Sequence, residues 1–296
     1  MVRRVLALTS ARIAVGILAA IALLALLGPL LAPQDPLATS DNTLAAASGA
    51  HWLGTDYLGR DVLSRLLDGS RVSVLGSLEV AVMALVVGAI PGILSVYLGR
   101  AFEWVTLRLA DTLVALPFLL FAVAVIALLG NGITQAMFVT GVLVSPLFYR
   151  VARAATLSVA RSQYVEAAVI SGASIGWVVR RHVWVKVLPP VAVAFAQTIG
   201  VGFVIVSSLT FLGIGVQPPE PTWGGLLASD LGYLSHQPWA PVVPALLIMA
   251  TVWAANLLAD AIRDVSGEAG RALVNSRKAR ANRRAAAETV STGGAR

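Results

Sequence analysis

Residues 150–186 read RVARAATLSVARSQYVEAAVISGASIGWVVRRHVWVK, with six basic residues (Arg150, Arg153, Arg161, Arg180, Arg181, Lys186) against a single acid, Glu166. The stretch lies between two apolar runs, residues 133–149 and 191–212. Four further runs, 13–31, 80–98, 113–129 and 240–258, approach the roughly 20 residues that a helix needs to cross a hydrocarbon core. Lys and Arg accumulate in the cytoplasmic loops of membrane proteins, which places the 150–186 loop inside. Counting back four spans puts Arg3, Arg4 and Arg12 on the same side. Counting forward two puts Arg271, Arg277, Lys278, Arg280, Arg283 and Arg284 there as well. The loop 216–239 falls outside and holds Glu220 and Asp230 but no Lys or Arg. The expected fold is an all-α membrane protein of six transmembrane helices with both termini cytoplasmic.

Composition agrees. The 296-residue chain is 57% hydrophobic and 12% charged, against about 25% charged in soluble domains. It has no cysteine, which excludes disulfides, thiolate metal sites and cysteine nucleophiles. Neither lysine, Lys186 or Lys278, sits in the glycine frame of a phosphate-binding loop, so any nucleotide is expected on another chain. His51, His182 and His236 are scattered over three loops and suggest no shared metal site. No catalytic constellation is visible, and nothing in the pattern points to nucleic acid. The chain is expected not to be an enzyme and to carry no cofactor of its own.

The expected organisation is a cytoplasmic N-terminus (1–12), a first span (13–31), an external segment (32–73), a core with five spans (74–265) and a basic tail (266–296). The 13–31 run is longer than the roughly 7–15 residues of a signal-peptide core, so it reads as an uncleaved span. In the external segment, Asp35, Asp41, Asp56, Asp61 and Asp68 outnumber Arg60, Arg65 and Arg71. A short surface helix is expected over 61–67, supported by Asp56/Arg60 and Asp61/Arg65 pairs at i,i+4 spacing. The tail is rich in Arg, Ala, Ser, Thr and Gly and reads as disordered. Its charge serves to orient the chain or to meet anionic lipid.

The loop 155–188 is far longer than the roughly 2–8 residues of an ordinary helix connection. Ile175, Val178, Val179 and Val183 fall on one helical face, and Val159, Tyr164, Val165, Val169 and Ile170 form a weaker stripe before it. Gly172 separates the two, suited to a left-handed turn. The expectation is a helix–turn–helix hairpin, lying on the membrane surface or docking against a partner.

The wording of this loop, Tyr164-Val165-Glu166-Ala167-Ala168, Gly172-Ala173-Ser174, His182 and Leu188-Pro189-Pro190, resembles the EAA loop of binding-protein-dependent ABC importer permeases. It is most similar to their peptide/nickel branch. Residues 51–65, HWLGTDYLGRDVLSR, are similar to the leader after the first span of the C-type (dipeptide/oligopeptide permease C) subunits. Residues 210–219 (TFLGIGVQPP) with Trp223-Gly224, and 256–260 (NLLAD) with Arg263-Asp264, resemble their later blocks. The resemblance runs over about residues 10–265. Two departures stand out. Val183-Trp184-Val185-Lys186 replaces a stretch that in the family holds a proline, leaving the end of the second loop helix unspecified, and Val265-Ser266-Gly267 replaces an Asp-Pro-Arg.

The resemblance implies a type I ABC importer fold in a bacterial cell membrane and a role as the permease for di- or oligopeptides, nickel chelates or other small solutes. It implies four kinds of neighbour besides lipid: a homologous permease, two cytoplasmic ATPases that bind the ATP, and an extracytoplasmic solute-binding protein. The loop residues Glu166, Ala167, Ala168, Gly172 and His182 would then form the ATPase-docking element. Gln197, Thr198, Ser207, Ser208 and Thr210 in the fifth span are candidates for the translocation path or for hydrogen bonds between helices. An ion-coupled carrier would place acids deep in spans, whereas Glu79, Asp260 and Arg263 read as span edges.

The parity of the spans is directly testable. In the cysteine-free chain, Ser174→Cys should react with an impermeant thiol reagent only from the cytoplasmic side, and Ser229→Cys only from outside. Reaction of both from one side would break the six-span count.

Overall fold

The computed structural model describes residues 1–130 and 132–267. In chain order the helices are α1 (Val2–Val5), α2 (Thr9–Leu31), α3 (Val62–Leu94), α4 (Arg100–Ala115), α5 (Phe118–Leu129), α6 (Ile133–Ala160), α7 (Gln163–Ile170) and α8 (Ile175–Val178). A π-helical turn (Val179–Val183) then leads into α9 (Trp184–Phe211), followed by α10 (Trp223–Leu231) and α11 (Val242–Ser266). Among the described residues the sole β pairing is one isolated bridge, Thr55 to Asp61. The basic tail beyond residue 267 and Asn131 of the 130–132 turn lie outside the described residues.

Five stretches are long and apolar enough to cross a membrane: α2, α3, α6, the continuous Ile175–Phe211 helix, and α11. The count reaches six when α4 and α5, bent by 102° at their junction, are taken as one broken span. The break has a local cause. Leu116 is extended (ψ 139°) ahead of Pro117, because proline disfavours helical backbone in the residue before it. The expected third span, 113–129, therefore straddles a corner. Pro117 stands at that corner rather than inside a helix, and Pro244 lies in the first turn of α11, where a missing N–H costs nothing. Pro91 and Pro146 are helix-internal as expected.

The second span starts far earlier than its apolar run. Asp61 caps α3 by accepting from the Ser64 amide, and the helix continues for 33 residues. At about 1.5 Å per residue this is roughly 50 Å, well beyond a hydrocarbon core of about 30 Å. The separate surface helix expected over 61–67 is thus the projecting first turns of α3. Glu79, expected at a span edge, lies half-exposed in mid-helix. At the other end of the bundle α6 runs past its apolar run to Ala160 and also leaves the membrane.

The most extensive helix pairing is α3 with α6. Lipid gives helices no hydrophobic reason to associate, so membrane interfaces rely on small residues and close backbone approach. Ala81, Ala84, Gly88 and Gly92 on α3 are buried, as are Gly141, Ser145 and Ala152 on α6. A Cβ added to Gly88 would lie 2.2 Å from the Ser145 carbonyl oxygen and 2.8 Å from the Phe148 Cβ. α11 closes the bundle against α9 and α2, while Leu23, Leu26, Leu27 and Leu30 of α2 remain exposed to lipid. Overpacking a tight interface costs about 1–3 kcal/mol, so Gly88→Leu should lower the thermal midpoint of the detergent-solubilised protein by several degrees. Gly16→Leu, at a site with no atom within 4 Å of the added Cβ, should leave it unchanged. Equal midpoints for the two variants would show that this crossing is not tight.

Candidate functional site

The hairpin is built from the end of α6 outward. Helix α6 stops at Arg161, Ser162 opens α7, and α7 closes in a glycine turn with Gly172 at φ +87°. The Ala173 amide donates to the Ala168 carbonyl and the Gly172 amide to Val169, each at 3.0 Å. This paired pattern ends helices on a left-handed residue and satisfies their last carbonyls. Ser174 then caps α8 by accepting from the Trp177 amide at 3.3 Å.

Valine side chains fasten the hairpin to the spans. Val165, Val178 and Val183 are buried in one cluster with Val159, Phe148, Ile93 and Val187. The expected stripes are only partly realised: Val178 and Val183 face in, Val179 is partly buried, and Ile175 is exposed, because it lies in the first turn of α8 beyond the reach of that cluster. Of the first stripe only Val159 and Val165 are buried. The second loop helix does not end before the fifth span. It passes through the π-helical turn into α9, which carries Pro189 and Pro190 internally, as one helix, Ile175–Phe211.

Outward, the hairpin presents an apolar tip. Tyr164, Val169, Ile170, Ile175 and Trp177 are exposed, Ile170 at 81%. Glu166 and Ala167 are exposed beside them and Ala168 is half-buried. The half-buried His182 ring lies 5.4 Å from Tyr164 and 5.2 Å from Trp177. Trp177 was not singled out in the sequence; its signal was its place directly after the Gly172 turn. On the same side, α4 ties its polar face to α6 through Arg150–Asp111 at 2.9 Å and an Arg153–Glu103 pair.

The fifth-span candidates do not share one surface. Thr198 and Ser207 are buried, and neither hydroxyl has a partner among the described residues. Ser207 and Ser208 line a cavity of about 360 Å³ with Phe211, Leu227 and Ile248. Gln197 lines a different one, of about 640 Å³, with Arg4, Lys186, Pro190 and Arg263. Thr210 is buried and donates to the Val206 carbonyl at 3.0 Å.

A second polar centre stands at the opposite end, where residues 34–61 meet the segment 216–239. Arg60 donates to Asp56 at 2.7 Å as expected. Arg65, however, pairs with Asp56 at 3.4 Å and not with Asp61. Asp61 is occupied by capping α3 and by the His51 ring at 3.0 Å. Arg65 also donates to the carbonyls of Pro36 (3.1 Å) and Pro219 (3.3 Å), and Gln237 donates to those of Ala45 and Thr55. Asp230 is 6% exposed and has no ion-pair partner among the described residues. Burial pushes its carboxyl up to about 6 and the Asp56 charge adds to the effect, while the Ser229 hydrogen bond, Arg65 and Arg60 oppose it.

Residues 82–268 match the family described as the inner membrane component of binding-protein-dependent transport systems. A di/tripeptide transport system permease protein of Pseudomonas aeruginosa (strain UCBPP-PA14) is 36% identical over 251 residues, 81% of this chain and 82% of the relative. A glutathione transport system permease protein of Pectobacterium atrosepticum is 35% identical over 217 residues, covering 73% and 72%. A dipeptide transport system permease protein of Alkalihalophilus pseudofirmus is 30% identical over 243 residues, covering 82% and 80%.

The Asp230 carboxyl gives a test with a definite sign. Its folded-state pKa is raised, so its stabilising contribution is complete below the unfolded value near 3.8 and is lost as pH rises through about 6. Asp230→Asn should therefore gain thermal stability relative to the parent at about pH 8 and gain little at about pH 4.5. A difference in midpoint that stays constant across that range would refute the assignment.

Proposed function

The chain belongs to the family of inner membrane components of binding-protein-dependent transport systems, and from that membership we propose how it works as the permease subunit of an ATP-driven importer. It forms one half of the translocation pathway with a homologous permease, in a cell membrane with both termini cytoplasmic. Its solute is a di- or oligopeptide or a molecule of similar size, in keeping with the peptide and glutathione permeases it resembles. The ATP is bound by two partner ATPases, and an extracytoplasmic binding protein delivers the solute.

One observation carries the coupling role: the exposed apolar tip of the hairpin stands at the end of a continuous helix that enters the membrane. Contiguous exposed apolar surface rimmed by charge marks an interaction site. Tyr164, Ile170, Ile175 and Trp177 enter a groove on the ATPase, with Glu166 and Arg181 at the rim. Ala167 and Ala168 let the surfaces approach, and Gly172 fixes the angle between α7 and α8. Movement of the ATPase then displaces the hairpin, and the buried valines pass that displacement to α6 and α9 as a rigid-body motion.

Substituting Gly172 by valine forces a β-branched residue to φ +87°, a conformation such residues strongly disfavour. We expect Gly172→Val, and less severely Glu166→Lys, to leave the subunit inserted and paired with its partner permease. Co-purifying ATPase and solute uptake should fall together, by tenfold for each ~1.4 kcal/mol of docking lost. Full ATPase retention with normal uptake in both variants would rule out the hairpin as the coupling element.

A further inference from the structure

At the end of the molecule that the charge distribution places outside, a pocket of about 290 Å³ opens between the loop before α3 and α10, bordered by Tyr57, Arg60, Arg65, Thr222, Ala228 and Ser229. Arg60 is only 4% exposed. Its Nε is taken by Asp56 and its guanidinium lies over the Tyr57 ring, 5.5 Å from the centroid. Neither of its terminal amino groups has a partner among the described residues. Arg65 directs one terminal nitrogen to two carbonyls, and its buried Nε lies 3.4 Å from Asp56 without making a hydrogen bond. Two buried guanidiniums therefore share one carboxylate, since Asp61 is committed to Ser64 and His51. The remaining neighbour, Asp230, forms an ion pair with neither arginine, and burial raises its carboxyl to about 6.

The terminal nitrogens of Arg60 open into the pocket without a partner among the described residues, and the planar fork of a guanidinium matches a carboxylate bidentately. An exposed acid, Glu220, stands at the pocket's edge. A group with a carboxylate at one end and an ammonium nearby satisfies both features; a simple anion satisfies only the first. The volume suits a terminal residue rather than a whole peptide, at the lower limit of ordinary ligand pockets.

We propose that this pocket is a carboxylate site, in which Arg60 and Arg65 receive the C-terminal carboxylate of a zwitterionic peptide solute at the outer mouth of the subunit. The proposal rests on the permease reading and adds to it a residue-level contact with solute.

The test uses Ala228→Cys in the cysteine-free chain, assembled with its partners in right-side-out vesicles, with the rate of labelling by an impermeant maleimide as readout. Ala-Ala should protect the cysteine, about fivefold at four times its Kd, and Ala-Ala amide should not. Arg60→Lys, which keeps the charge and loses the fork, should abolish the protection. Because Arg60 also holds Asp56, the acid-against-amide comparison stands on its own if that variant fails to assemble. Equal protection by acid and amide, or none by either, overturns the site. So does protection given by the solute-free binding protein alone, which would assign the carboxylate to that protein. Lack of protection alongside ATP-driven Ala-Ala uptake removes the pocket and leaves the permease reading standing. Acid-selective protection without such uptake does the reverse.

Discussion

Where α3 crosses α6, the two backbones come within the reach of a single methyl group. The crossing holds because Gly88 presents no side chain to the Ser145 carbonyl and Phe148. In lipid, helices gain by dispersion and close approach rather than by withdrawal from water, so such a contact has few substitutes. Both functional ends hang from it. The outer turns of α3 carry Asp61, Arg65 and the segment around Asp56. The inner turns of α6 carry the valine cluster that seats the hairpin. Each helix leaves the membrane on the side opposite the other, so the crossing fixes the two ends relative to one another.

The two ends use different physics. Outside, the chain folds back on itself through buried charge and capped turns, with Arg65 reaching carbonyls at Pro36 and Pro219 that are far apart in sequence. Trp223 adds to this by donating from its ring to the Leu66 carbonyl and packing against Phe203 at 5.5 Å. Such a network specifies one geometry because each of its members is costly to leave unpaired. Inside, the hairpin is held by apolar contacts on one face only, and its other face is apolar and open.

Much of this was legible in the sequence because the bilayer imposes a simple rule: apolar runs of span length become helices, and Lys and Arg mark the inner side. The turn at Gly172 was legible for a steric reason, since a glycine between two helical stripes is where a left-handed residue fits. What escaped depends on non-local contacts. Hydropathy shows where a helix enters lipid and not where it begins, so the outer turns of α3, with Arg65 and Asp68, read as a separate surface segment. Spacing suggested Asp61/Arg65, but Asp61 was claimed by the helix cap and Arg65 turned to Asp56. The 113–129 run looked like one span although Leu116-Pro117 breaks it, because hydropathy is blind to ψ. Gln197 on one hand and Ser207 and Ser208 on the other line different cavities, because residues ten positions apart on a helix lie about 15 Å apart along its axis.

The continuity of Ile175–Phe211 bears on how a push at the hairpin reaches the outer pocket. The family-like proline after His182 is absent, and the helix runs on through a π-helical turn and then Pro189-Pro190. Both features weaken the ladder of backbone hydrogen bonds, and kinks concentrate at such places. The π turn lies just before Val187, and Pro189-Pro190 fall between Val187 and Val191, where α9 joins the buried cluster. The helix is therefore stiff from Val191 to Phe211 and compliant at its cytoplasmic entry. Further out, the Phe203–Trp223 contact joins α9 to α10, which carries Ala228, Ser229 and Asp230 at the pocket. A displacement of the hairpin large enough to exceed the give of the π turn moves α9 as a rod, and α10 moves with it. On the proposed reading, that rod is what lets closure of the cytoplasmic ATPases change the space between α10 and the arginines of α3, where a solute carboxylate is held.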